Sequence, residues 1–251
     1  VYIFSNESMP GLLKVGFTTK DPKFRAKSLD TGAPSDYIVE YDVLVDEYPR
    51  MEKKSQTLLK AFRVNKEWFK CSIEIAIAAI RQAVADNILH EYCPFEVLSI
   101  GKIVIQDEVA IDIETGLMWL RFGYGQTWNN NTSAGSLKWI NWENSFEIIK
   151  LLNIQSGYAG YTDWRLPTIE ELKLLINNES INTHIDKIFP NSISNLNDWY
   201  WSSTAIDLND EGICNIYDEG AYGISLSNGK ISWVEKYEYN YIRLVRDILI
   251  S

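Results

Sequence analysis

The sequence predicts an α+β chain in two parts. A small α/β sandwich, with a three-stranded antiparallel sheet and helices, occupies residues 1–93, and a β-rich unit with two helices occupies residues 94–251. Three observations carry this reading. Strand-like and helix-like patterns alternate through the first ninety residues. The first part balances 13 Lys/Arg against 13 Asp/Glu, whereas the second holds 11 against 21 and so carries the whole formal charge of −10. Tryptophan divides in the same way, with Trp68 in the first part and the other eight in the second. Adjacent segments of such different chemistry form separate cores, and 251 residues suffice for two domains.

Taken in order, Val1 to Ser5 and Leu12 to Thr18 read as strands, closed into a hairpin by Asn6-Glu7-Ser8-Met9-Pro10-Gly11. Asp21 caps a helix with Pro22 at its first position, running to about Asp30 and stopping near Gly32 and Pro34. Tyr37 to Val45 alternates and is β-branched, a third strand. Pro49 to Phe62 is a second helix, with Met51, Leu58, Leu59 and Phe62 for the core, and Trp68-Phe69 is a short strand. Ser72 to about Leu89 is the clearest helix, with Ile73, Ile77, Ile80, Val84 and Ile88 at a 3–4 spacing. Tyr92-Cys93-Pro94 ends it and marks the domain boundary. Beyond that boundary a helix runs from about Asn141 to Leu152, and another opens with a capping box, Thr168 and Glu171. Asn228-Gly229, between two alternating runs over Ser225 to Trp233, signals a hairpin. The polar stretch from Asn129 to Ser136 reads as an inserted loop.

Several classes are disfavoured by composition. Cys71, Cys93 and Cys214 form no CxxC pair, so they supply neither a disulfide framework nor a zinc site and suit a reducing, cytoplasmic location. His90 and His184 are the only histidines and lie far apart, against a histidine-rich metal site. No apolar run reaches the roughly 18 residues of a membrane span, so no membrane partner is expected. The acidic second half repels nucleic acid at long range, which assigns any DNA contact to the first.

The first half holds Tyr2, Lys14-Val15-Gly16, Arg25 and Glu52 at spacings suited to cutting a phosphodiester. Taken singly, Tyr2 is a core tyrosine and Arg25 and Glu52 are solvated helix charges. Their joint order, followed by Arg63-Val64-Asn65 and Glu67-Trp68-Phe69, resembles the GIY-YIG nuclease superfamily, in the phage and prokaryotic branch that includes meiotically up-regulated gene family proteins. The resemblance covers residues 1–82 and implies a metal-dependent DNA endonuclease. It sets Val1-Tyr2-Ile3 at the first motif, Lys14-Val15-Gly16 at the second, Arg25 at the helix arginine and Glu52 at the metal-binding glutamate. A phenolate at Tyr2 would act as general base. Arg25 would clamp the phosphate and offset its growing charge. Glu52 would hold one divalent ion, Mg2+ (or Mn2+). Lys14, on the strand paired with that of Tyr2, would lower the phenol pKa by charge proximity.

Two residues depart from the pattern. Lys14 stands where the second motif usually begins with tyrosine, though lysine is familiar in this branch. Gln56 stands one helical turn after Glu52, where the branch tends to show histidine. Glutamine at that spacing faces the same way and can hydrogen-bond a phosphate, but it shuttles no proton at neutral pH. Loss of a general base costs ~10²–10⁴-fold in rate. The alternative reading is therefore a decayed nucleic-acid- or protein-binding module.

The second half carries Asp112-Ile113-Glu114-Thr115-Gly116-Leu117-Met118-Trp119, then Gly160-Tyr161-Thr162-Asp163-Trp164-Arg165-Leu166-Pro167-Thr168, Trp199-Tyr200-Trp201-Ser202-Ser203-Thr204 and Tyr241-Ile242-Arg243-Leu244-Val245-Arg246. These four motifs, over residues 105–247, resemble the Lcl C-terminal domain family, named for a bacterial collagen-like adhesin and related to C-type-lectin-like folds. The resemblance implies a β-rich binding domain, not an enzyme, with an unknown ligand or protein as partner. A surface adhesin acting through this half alone is a third reading. Trp119, Trp164, Trp201 and Leu166 read as scaffold, and Arg165 and Arg243 as structural ions paired with acids such as Asp163. Loops carry the ligand surface, with 129–136 and Tyr217 to Tyr222 as candidates. A sulfated glycan needs basic surface and does not suit this acidic half.

Overall fold

A computed structural model describes residues 1–31, 33–176, 184–191, 198–206 and 220–248. Gly32, Cys214 and the Tyr217 to Glu219 end of the second candidate loop lie outside the described residues. The α+β class holds, and the chain divides into two compact units. One is Val1–Ile105 with Ile111–Leu117 and Asp247–Ser251, and the other is Gln106–Ala110 with Met118–Arg246.

In the first unit β1 (Tyr2–Asn6) lies between β2 (Leu13–Gly16) and β3 (Tyr37–Val45), antiparallel to both. The sheet is wider than the three expected strands. β4 (Arg63–Asn65) and β5 (Trp68–Phe69) extend it beyond β2, and β6 (Ile88–Tyr92) extends it beyond β3, giving the order β4-β5-β2-β1-β3-β6. α1 (Pro22–Leu29) begins where expected, with the Asp21 carboxylate accepting from the Lys23 N–H at 2.8 Å. α2 (Tyr48–Leu58) is shorter than predicted and finishes in a 3-10 turn over Lys60–Phe62 that buries Phe62. It packs on α3 (Ile73–Val84), whose Ile75, Ile77, Ile80 and Val84 are buried together with four alanines. The Lys54 ammonium donates to the Ala83 carbonyl at 3.0 Å, which satisfies a C-terminal acceptor of α3.

The predicted continuation of α3 to Leu89 is corrected. The helix stops at Val84 because Ala85 turns to φ 46°, and Ile88 lies in β6, partly exposed, instead of on a helical core stripe. The pull is tertiary. Glu91 of β6 accepts from the Tyr41 hydroxyl at 2.7 Å and from Arg81 Nε at 2.8 Å, fixing the segment against β3. β7 (Ser99–Ile100) and β8 (Ile103–Gln106) then form a tight antiparallel pair, and β9 (Val109–Asp112) and β10 (Leu117–Leu120) follow along the chain.

The second unit replaces the expected Asn-rich loop by a hairpin. β11 (Thr127–Asn129) pairs with β12 (Thr132–Ala134), and Asn130 and Asn131 both take positive φ, the turn geometry that asparagine tolerates. α4 (Trp142–Gln155) is capped by Asn141, and α5 (Ile169–Ile176) opens with the predicted box. There the Thr168 N–H donates to Glu171 at 2.7 Å, and the Glu171 N–H donates to Thr168 at 3.2 Å. Among the described residues a one-turn helix, α6 (Ile185–Ile188), adds to the two expected. β13 (Tyr200–Ala205), β14 (Gly220–Ile224) and β15 (Ile231–Glu235) form a three-stranded sheet. The hairpin at Asn228-Gly229 is present but has a wider turn, since the Ser225 N–H meets the Lys230 carbonyl at 2.8 Å. β16 (Val245–Asp247) closes the fold, its Val245 exchanging backbone hydrogen bonds with Arg165. Trp119, Trp164 and Trp201 are buried as scaffold, and the last two donate their indole N–H groups to the Tyr158 and Ile140 carbonyls.

Candidate functional site

At the centre of the first sheet, Tyr2 sits opposite Gly16. The Tyr2 ring is 2% exposed and stacks on Phe4 at 3.8 Å, nearly parallel. A Cβ on Gly16 would lie 2.7 Å from the Tyr2 hydroxyl, so the glycine of Lys14-Val15-Gly16 is the space in which the phenol lies. The charge of Arg25, on α1, acts on the Tyr2 hydroxyl and favours its ionised form. From α2, Glu52 accepts from Gln56 Nε2 at 3.1 Å, and the same nitrogen donates to the Val15 carbonyl at 2.9 Å. Gln56 thus ties Glu52 to β2 through both protons of its amide. Lys14 is buried, ion-paired with Glu67, and lies 5.9 Å from the Trp68 ring centre.

Electrostatics couple these groups. Burial raises the Tyr2 pKa, Arg25 opposes the rise, and the charges of Glu67 and Glu52 add to it. Burial raises the pKa of Glu52 as well, with the Glu67 charge reinforcing and Lys14 opposing. Tyr2, Lys14, Arg25, Glu52 and Gln56, picked out across 55 residues of sequence, therefore act on one another. The expectation that Lys14 lowers the Tyr2 pKa is corrected. Lys14 faces Phe4 across the strand pair and its ammonium is taken by Glu67, while burial keeps the phenol protonated. The expected contact of Gln56 with a phosphate is likewise displaced by its two protein acceptors. Glu67 is the residue that the sequence reading left out of the site. Its signal was present: a lysine on a buried strand demands an acid, and Glu67 adjoins Trp68, the register partner of Lys14. Among the described residues, no group of three or more His, Cys, Asp or Glu converges to hold a metal.

In the second unit the arginines are scaffold, with partners redistributed from the expected ones. Arg165 forks onto Glu171 at 2.7 and 2.8 Å, and Asp163 belongs to Arg246 at 2.7 and 3.0 Å. Arg243 is fully buried, lies over Phe189 at 3.9 Å and donates to the Leu120 carbonyl at 3.1 Å. The exposed features are aromatic ones that the sequence reading did not single out. Trp139 and Tyr239 border a pocket of about 420 Å3 with Asp198, Trp199, Glu238 and Tyr241.

Residues 108–246 match the family model of the Lcl C-terminal domain, and residues 1–84 match that of the T5orf172 domain, a nuclease-like, phage-associated family. No curated protein matches the chain. Among the described residues no helix is long and apolar enough to cross a membrane.

Proposed function

Since the chain belongs to the Lcl C-terminal domain family, with a nuclease-like domain at residues 1–84, we propose that it is a metal-dependent DNA endonuclease of GIY-YIG type joined to an acidic recognition domain. The observation that carries the reading is the coupling of Tyr2, Arg25 and Glu52 around the Gly16 gap. Arg25 meets a phosphate with a planar fork and offsets the charge that grows on it. Burial keeps the proton on the Tyr2 hydroxyl, on which the Arg25 charge acts. Glu52, half-buried and oriented by Gln56, would hold a divalent ion. Magnesium takes few carboxylates and keeps its waters, so a single carboxylate suits it. When bound, such an ion supplies Lewis-acid stabilisation of phosphate oxygens. In the second unit the aromatic, acidic pocket around Trp139 and Tyr239 suits a neutral or cationic ligand. Free thiols at Cys71 and Cys93 suit a reducing cytoplasm.

A module that binds DNA without cutting it is the second reading, favoured by Gln56, whose amide is spent on Val15 and Glu52 and holds no titratable proton. Supercoiled plasmid, incubated with magnesium, manganese or EDTA, separates the two. Metal-dependent nicking by the wild type, lost in Glu52→Gln with the fold retained by circular dichroism, is the expected result. Folded protein that binds plasmid without nicking it would leave the second reading in possession, and nicking by Glu52→Gln would remove Glu52 from the metal role.

A further inference from the structure

Beside the candidate site, α1 presents an aromatic ring that the fold does not use. The helix buries only Ala26, and Phe24 keeps 70% of its surface in water. With Phe17 it walls a cavity of about 400 Å3, whose remaining lining is Thr18, Thr19, Lys20, Arg25 and Ser28. That volume lies in the range of small-ligand pockets, about 300–1,000 Å3. The lining holds two cations and no carboxylate, in a chain whose formal charge is −10. Phe17 is braced by Tyr48 at 5.0 Å between ring centres, and the Thr18 hydroxyl accepts the Lys20 N–H at 3.1 Å, which fixes the loop that carries Lys20. Arg25 belongs to both places, lining the cavity and bearing with its charge on Tyr2.

A lone exposed phenylalanine is ordinary on a protein surface. Here the ring shares a concave wall with Lys20 and with the arginine of the candidate site, and that combination has a chemical counterpart. An aromatic face stacks on a nucleobase with little regard to sequence, and lysine and arginine meet the phosphates on either side of it. In a continuous duplex each base face is covered by its neighbours, so a ring reaches one only where a nucleotide is unpaired or displaced. We propose that this cavity is a nucleotide subsite, in which Phe24 stacks on an unstacked base adjoining the phosphate held by Arg25, so that the protein selects single-stranded segments over continuous duplex DNA. The proposal rests on the nuclease reading of the same site for its register with Arg25.

The test is equilibrium binding of the full chain in EDTA, where no metal-dependent cutting occurs, using a labelled oligothymidylate and a blunt duplex of equal length. The wild type is expected to prefer the oligothymidylate. Phe24→Ala is expected to weaken that binding about 10- to 100-fold, the usual effect of losing one stacking partner, with duplex binding and Tm unchanged. Phe24→Trp restores the preference. Lys20→Ala lowers the salt slope by about 0.7, the share of one single-strand phosphate. Equal affinity of Phe24→Ala and wild type for the oligothymidylate, a preference for duplex, or binding to neither overturns the subsite. The plasmid assay separates the two ideas. Magnesium-dependent nicking with Phe24-independent binding sinks the subsite alone, and Phe24-dependent binding without nicking sinks the nuclease reading alone.

Discussion

Glu52 of the first unit is held in the opposite sense to Asp163 and Glu171 of the second, and to Glu91 of its own unit, which the Arg81 hydrogen bond lowers. In the second, the Arg246 hydrogen bonds draw Asp163 below the ordinary carboxylate range, and Glu171 is also lowered: burial opposes it, but the fork of Arg165 and the Thr168 N–H outweigh that. In the first, burial and the charge of Glu67 push Glu52 above the ordinary range, and Lys14 offsets this incompletely because its ammonium is already paired with Glu67. The same kind of side chain is thus satisfied at Asp163, Glu171 and Glu91 and left wanting at Glu52. A scaffold acid that receives a bidentate guanidinium has no further electrostatic demand. An acid held above its usual pKa near a buried tyrosine gains by meeting a cation, and perturbed groups of this kind gather where chemistry occurs.

The largest expected effect comes from closing the gap that Gly16 provides. In Gly16→Ala the new methyl would sit 2.7 Å from the Tyr2 hydroxyl and 2.9 Å from its ring carbon. The ring is pinned on Phe4, so the pair must shift together. Overpacking of this kind costs about 1–3 kcal/mol, and a displacement of roughly 1 Å at a reacting centre costs about a hundredfold in rate. Nicking rate and unfolding midpoint should therefore fall together. A variant that cuts as fast as wild type would show that the Tyr2–Gly16 contact is packing alone.

Asp163→Asn comes next and acts on the other side of the comparison. It leaves Arg246, with 9% of its side chain exposed, without its anionic partner. Removing one member of a buried pair costs about 3–5 kcal/mol. Because 46% of the Asp163 side chain is exposed, solvent screening reduces the expectation to about 1–3 kcal/mol. Urea unfolding followed by tryptophan emission reports mainly on this unit, which holds eight of the nine indoles. The plasmid-nicking rate should be unchanged, and a loss of nicking would mean that the acidic unit bears on catalysis after all.

How far the sequence could be read follows the same division between local and tertiary causes. The cap at Asp21, the box at Thr168 and Glu171, and the span of β3 were legible because each is set by neighbouring residues. The end of α3 was not. Ile88 continues the helical spacing, and only the bonds of Glu91 to Tyr41 and Arg81, 50 and 10 residues away, turn the segment into a strand. The Asn-rich segment looked like a loop because polarity concealed two positive-φ residues suited to a tight hairpin. Of the candidate site, residue types in order were visible. The capture of Lys14 by Glu67 and the spending of the Gln56 amide were not, since each depends on which neighbour reaches a side chain first. Phe24 escaped notice because a helical phenylalanine reads as core until its face is known.

The smallest effect tests the sign of the comparison directly. Raised in the folded state, Glu52 binds its proton more tightly there than in the unfolded chain, so its ionised form costs stability above the folded pKa, and the cost fades as pH falls through that value. Glu52→Gln should therefore unfold at a slightly higher temperature than wild type at pH 7, with the gap closing toward pH 4. Asp163 and Glu171 are lowered, so their contribution is full at pH 7 and is lost only as pH falls below about 4, the unfolded carboxylate value. The deficit of Asp163→Asn should accordingly persist from pH 7 to pH 5 and shrink at lower pH. Calorimetric scans of the two variants beside wild type across that range suffice. If Glu52→Gln is less stable at pH 7, Glu52 is a structural anion like Asp163, and the contrast that marks Glu52 as a group of the candidate site is lost.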